Sequence, residues 1–107
     1  MNGHRSAFDG RNFEYYSEDS VLAGYIGASS IAGAQSYGVY AYMKHFALND
    51  QQINQSEMLC TWADEQAIRE IYLRPFEISA KVGGCKAVMS TSLTTWIQIL
   101  PSATAAT

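Results

Sequence analysis

Lys44 and His45 stand side by side near the end of an apolar run, Val39 to Ala47, with Phe46 just beyond them. A lysine offers three N–H donors and a histidine one or two, a set suited to a cluster of sugar hydroxyls. The competing reading is a lysine on a strand rim and a hydrogen-bonded histidine in a core. Arg11 lies in Gly10-Arg11-Asn12-Phe13-Glu14. There a guanidinium beside aromatics and a carboxylate either binds a polyol bidentately or pairs with Glu14. Glu14, Glu18 and Asp19 form one acidic group, read as loop and helix start. Asp64, Glu65 and Glu70 form another, on the solvent side of a helix. No Ser/His/Asp order, phosphate-binding glycine loop or metal-ligand spacing stands out. His4 and His45 are the only histidines, so the sequence implies no metal and no cofactor.

These side chains need elements to place them. Residues 1 to 16 mix Phe8, Phe13, Tyr15 and Tyr16 with glycines and show no helical period, which reads as strand end and loop. Ser17, followed by Glu18, Asp19 and Ser20, resembles a helix start, where a hydroxyl caps free N–H groups and acids favour the dipole. The helix that follows carries Leu22, Tyr25, Ile26 and Ser29 on one face. Its many small residues, Ala23, Gly24, Gly27, Ala28, Ala32 and Gly33, permit close packing. Three glycines cost it roughly 1 kcal/mol each relative to alanine, so packing must hold it. Gly38 ends the pattern.

Val39 to Ala47 is composed like a buried strand, and Asn49 to Ser56 is loop-like. Asp64 to Tyr72 repeats apolar residues at helical spacing. Pro75 interrupts it, and Phe76, Ile78 and Ala80 suggest resumption after a kink. Gly83-Gly84 marks a turn before a second buried strand, Cys85 to Ser90. Loop, helix, strand, helix, strand points to an α/β fold with parallel βαβ units and working residues at the C-terminal ends of strands. Residues 1–90 form this unit. Residues 91–107 form an uncharged tail of unknown structure, whose apolar knot is Trp96, Ile97, Ile99 and Leu100.

Composition narrows the class. A chain of 107 residues with 48% hydrophobic and 16% charged residues suits one small packed domain. A net charge of −3, with Lys and Arg scattered singly, argues against nucleic acid and against an anionic membrane. No apolar stretch approaches the ~20 residues of a membrane span, and the first residues lack an apolar signal core. Cys60 and Cys85 read as reduced thiols, and the expected location is cytoplasmic.

Several motifs in order resemble glycoside hydrolase family 3. Gly10-Arg11-Asn12-Phe13-Glu14-Tyr15-Tyr16-Ser17-Glu18-Asp19 looks like the signature midway through its N-terminal barrel, and Met1-Asn2 with His4-Arg5 looks like the segment before it. Gly38 through Lys44-His45-Phe46-Ala47-Leu48-Asn49 and Gln51 is similar to the next stretch. Arg69-Glu70-Ile71-Tyr72-Leu73-Arg74-Pro75-Phe76-Glu77-Ile78 resembles the following helix, and Ala87-Val88-Met89-Ser90 the strand after it.

The resemblance implies a TIM-like (β/α)₈ barrel that removes glucose from the non-reducing end of β-glucosides with retention. It implies that Arg11, Lys44 and His45 hold hydroxyls of the terminal sugar, with Met89 near the same pocket. The family's nucleophile is an Asp in a Ser-Asp-Trp motif, which this sequence lacks, and its acid/base Glu usually comes from a further domain. The Tyr-Asn that often follows Met-Ser is replaced by Thr91-Ser92, and a sugar-binding Asp is expected upstream of Met1.

Retaining hydrolysis needs two carboxyl groups ~5 Å apart. The candidates here are Asp50, where the family tends to have Asn, and Glu14, which shares the Arg11 motif. A full barrel takes ~250 residues. The expected fold is therefore a partial (β/α) barrel of about two βα units plus a strand, self-associating into a homo-oligomer. The expected function is a β-glucosidase of weak activity on β-linked glucosides such as cellobiose, with glucose or a β-glucoside as ligand. The alternative is a catalytically inert sugar-binding or structural fragment.

Overall fold

The computed structural model describes residues 1–55, 57, 59, 61–91 and 97–100, the last four by their backbone. A 3₁₀ turn, Asn12–Glu14, leads into helix α1, Ser20–Gln35. Strand β1, Tyr42–Phe46, is followed by β2, Thr61–Asp64. The short helix α2, Glu65–Ala67, runs on into a π-helical turn, Ile68–Tyr72, and then comes helix α3, Arg74–Lys81. Strands β3, Ala87–Ser90, and β4, Ile97–Leu100, complete the order. β1 pairs with β3 and β2 with β4, both parallel, so the mixed α/β class and the parallel pairing are as expected. Among the described residues no helix is long and apolar enough to cross a membrane.

Local chemistry explains the element ends, and some differ from the sequence reading. α1 is capped by Asp19, whose Oδ1 accepts from Leu22 N–H at 2.7 Å. The Ser17 hydroxyl, two residues earlier, accepts from Asp19 N–H. Asp64, read as the first residue of a helix, ends β2 and caps α2 by accepting from Ala67 N–H at 2.8 Å. The break expected at Pro75 comes earlier, where Leu73 N–H bonds to Ile68 O at 2.8 Å, a five-residue step. Pro75 then lies in the first turn of α3, where its missing N–H costs nothing. β4 falls within the stretch read as a tail, and Trp96 of its apolar knot lies outside the described residues.

α1 turns its small face inward. Ala23, Gly24, Gly27, Ala28 and Ile31 are buried, while Leu22, Tyr25, Ile26 and Ser29 share the opposite, exposed face. The reason is α3, which lies against that small face. Ser79 Oγ donates to Gly24 O at 3.2 Å. Ile31, Met43, Ala47, Leu48, Ile68 and Phe76 form the core on the helix side of β1, and Phe46 meets Phe76 edge to face at 5.1 Å. Fully burying one such aromatic contributes about 1.5–3 kcal/mol.

The packing makes a paired prediction. A Cβ on Gly83 would lie 2.7 Å from Ala28 Cα and 2.8 Å from two backbone carbonyl oxygens. Backbone cannot swing aside, so Gly83→Ala should lower stability by about 1–3 kcal/mol. A Cβ on Gly33, within α1, meets nothing within 4 Å, so Gly33→Ala should raise stability by up to about 1 kcal/mol. Denaturant unfolding midpoints of the two variants should move in opposite directions; a shared direction contradicts the packing.

Candidate functional site

The turn Asn12–Glu14 closes when Glu14 N–H bonds to Arg11 O at 2.9 Å. Residues three apart eclipse in a turn of this pitch, so Arg11 and Glu14 meet on one face. Arg11 Nη2 and Nε donate to Glu14 Oε1 at 2.5 and 3.1 Å. The other carboxylate oxygen, Oε2, lies 3.3 Å from Lys44 Nζ on β1. One carboxylate therefore ties the N-terminal loop to the strand. The Arg11 guanidinium, with help from Lys44 and against the effect of partial burial, holds the Glu14 carboxyl below its ordinary pKa. Both cations stay partly exposed, leaving donors free for a ligand. The sequence reading posed salt bridge against polyol binding at Arg11; the ion pair is present and leaves the second role open.

Lys44 and His45 are brought together by an irregularity in the strand pairing. Tyr42 is level with Ala87, Met43 with Val88, and Phe46 with Ser90. Between Met43 and Phe46 lie two residues, opposite only Met89 on β3. An extra residue of this kind re-aims the side chains around it. Met43 is buried on the helix side and Phe46 touches Phe76 there, so the insertion lies where the strand turns the Lys44-His45 pair toward Arg11 and Glu14. The peptide bonds Lys44–His45 and Phe46–Ala47 are cis. His45 feels the neighbouring charges: burial, then Lys44 and Arg11, push its pKa down, while Glu14 opposes them. It is therefore neutral at pH 7, with one donor and one acceptor nitrogen.

Asp50 is placed differently. Leu48, two residues beyond the strand, adopts φ +63°, a left-handed conformation that a bulky residue rarely takes. Beyond it Asn49 and Asp50 are buried. Tyr15 Oη and Asn2 Nδ2 donate to Asn49 O at 3.2 and 3.3 Å. The Asp50 carboxylate is 1% exposed, and Arg5 Nε lies 2.6 Å from its Oδ2. The contact is off the line a hydrogen bond needs, since that oxygen has no hydrogen-bond partner, so the pair is ionic. Burial raises the Asp50 pKa, Arg5 and a backbone N–H oppose it, and Asp9 adds to the rise. The two candidate carboxylates are thus engaged separately, Glu14 by Arg11 and Lys44, Asp50 by Arg5.

A cavity of about 320 Å³ opens beside the cluster, with Glu14, Tyr16, Tyr42 and Lys44 supplying its polar wall and Ile31 and Met43 its apolar one. That volume is at the low end for small-molecule sites. Sequence reasoning passed over Arg5, Tyr16 and Tyr42. Tyr42 had a signal, standing two residues before Lys44 and so on the same face of a strand. Among the described residues no group of three or more His, Cys, Asp or Glu gathers that could hold a metal.

The family model for the glycosyl hydrolase family 3 N-terminal domain matches residues 3–103. The β-glucosidase of Rhizobium radiobacter is 49% identical over 90 residues, covering 84% of this chain and 11% of that protein. The β-glucosidase of Ruminococcus albus is 44% identical over 91 residues, 85% of this chain and 10% of that protein. The chain thus spans about a tenth of the length of these curated relatives. Among solved structures, β-glucosidase 3B from Thermotoga neapolitana in complex with glucose aligns with a TM-score of 0.84 and 46% identity. It covers 92% of this chain and 13% of that one; the same enzyme in complex with glycerol aligns with the same score.

The two carboxylates should leave opposite marks on stability. The Glu14 pKa is lowered in the folded state, so its contribution is present above the unfolded carboxylate pKa and is lost as pH falls through the folded value. The Asp50 pKa is raised, so its effect runs the other way: stability is lost as pH rises from the unfolded value through the folded one. Glu14→Gln should therefore cost stability at neutral pH and little in acid. Asp50→Asn should raise the neutral-pH midpoint relative to the acid one. Urea midpoints across pH 3 to 8 check both, and parallel pH profiles for the two variants contradict the assignment.

Proposed function

This chain belongs to the glycosyl hydrolase family 3 N-terminal domain family, and we propose that it forms the part of a β-glucosidase site that grips the terminal glucose. Arg11 and Lys44 donate to sugar hydroxyls, His45 donates and accepts, and Met89 supplies an apolar contact at the rim. Glu14 holds the two cations in place. The observation that carries this reading is the Glu14 carboxylate shared between Arg11 and Lys44, with the neutral His45 beside it. The substrate class is a β-linked glucoside such as cellobiose, in keeping with the β-glucosidase names of the relatives and the glucose in a structural neighbour.

Turnover by this chain alone is weak in this account. Retaining hydrolysis asks one carboxylate to attack and another, of raised pKa, to protonate the leaving oxygen, ~5 Å apart. Glu14 has the charge for the first task and Asp50 the raised pKa for the second. Glu14 is spread between two cations, though, and Asp50 is buried on Arg5. That burial favours a second reading, a sugar-binding fragment without turnover. We also propose that the unit is part of a (β/α) barrel, and that the exposed Trp62 and Val88 drive self-association.

Lys44→Ala and His45→Ala should each weaken glucose binding by about 1–3 kcal/mol with little change in stability. Isothermal titration checks this, and unaltered affinity in both variants removes the assignment. Release of the aryl group from an aryl β-glucoside should be many powers of ten slower than by a complete enzyme, and slower still in Glu14→Gln. A parental rate matching a complete enzyme contradicts the weak-turnover reading; no rate above background selects the inert one. Light scattering at micromolar concentration should show oligomers, and a compact monomer throughout that range contradicts the association.

A further inference from the structure

We infer that Tyr42 is the stacking platform for the pyranose ring of the bound sugar, setting selectivity for a ring over an open polyol. This rests on the reading that the Arg11–Glu14–Lys44 cluster, with His45, takes sugar hydroxyls. Tyr42 is 67% exposed although it sits in the middle of the fold's sequence and on a paired strand. It lines the same cavity as Glu14, Tyr16 and Lys44. It stands two residues before Lys44, about 6.6 Å away along a strand, so a ring over its face reaches the lysine donors. Its partner across the pairing is Ala87, whose methyl group leaves the tyrosine face open.

The ring has no packing role that would explain it. The next residue, Met43, is the one buried in the core with Ile31, Ile68 and Phe76, while Tyr42 stays exposed. The Tyr42 hydroxyl has no hydrogen-bond partner among the described residues, and no ring contact engages it. A hexopyranose presents C–H groups on one face and hydroxyls around its edge. An apolar, two-torsion ring beside cationic donors matches both at low entropic cost. A hydroxyl-rich molecule without a ring gains only the donors.

The test titrates the full chain with D-glucose and with glycerol, following protein signals by NMR, for the parent, Tyr42→Ala, Tyr42→Phe and Lys44→Ala. Tyr42→Ala should weaken glucose binding by about 5- to 10-fold and leave glycerol within about 2-fold, while Tyr42→Phe keeps glucose within about 2-fold. Unchanged glucose affinity in Tyr42→Ala overturns the platform. So does an equal loss for both ligands, which marks a structural role, and so does a Tyr42→Phe as weak as Tyr42→Ala, which marks the hydroxyl rather than the ring. Lys44→Ala should weaken both ligands. If it weakens neither, the hydroxyl-binding reading fails whatever Tyr42 does.

Discussion

Glu14 is the residue on which the arrangement turns. Its carboxylate accepts from Arg11 with one oxygen and lies beside Lys44 with the other, joining a loop to a strand about thirty residues further along the sequence. Two cations drawn to one carboxylate repel each other. A carboxylate between them removes that cost and fixes their spacing. Burial, helped by the same positive charges, lowers the His45 pKa. One anion thereby fixes the spacing of two cations that both stay partly exposed.

The fold supplies the position. Because α1 buries glycines and alanines, α3 approaches closely enough for Ser79 to donate to Gly24 O and for Gly83 to lie against the Ala28 backbone. Both helices then cover one side of β1, where Met43 and Phe46 anchor the strand in the core. The extra residue between those anchors leaves Lys44 beside Glu14 and His45 within reach of the same charges. The strands run parallel, and the candidate site lies toward the C-terminal end of β1, where parallel α/β folds place their chemistry.

Much of this was legible in the residues and some was not. Lys44 and His45 were placed at a strand end because a short β-branched and aromatic run precedes them, and that placement holds. Why two neighbours both come within reach of Glu14 was not visible, since the pairing offset depends on β3, about forty residues away. The buried face of α1 could not be chosen from pattern, because Ala and Gly on one face and Leu, Tyr and Ile on the other are all apolar. Asp50 stood out as a candidate carboxylate because the family tends to have Asn at its position, in a stretch read as loop. Its burial comes from Arg5 and from the Leu48 turn, contacts remote in sequence or set by backbone conformation. The π-helical turn before Pro75 left no mark that distinguishes it from an ordinary kink.

In the proposed function, Glu14 organises a hexose-binding cluster at the end of β1. The most direct measurement is a glucose titration of the ¹⁵N-labelled chain, read as amide shift changes, for the parent and for Glu14→Gln. Saturable shifts are expected in the parent, concentrated at residues 11–16, 42–46 and 89. In Glu14→Gln those shifts should shrink at the same glucose concentrations while the rest of the spectrum stays folded. Absence of saturable shifts in the parent, shifts centred on α2 or the exposed face of α1, or an unaltered titration in Glu14→Gln would contradict it.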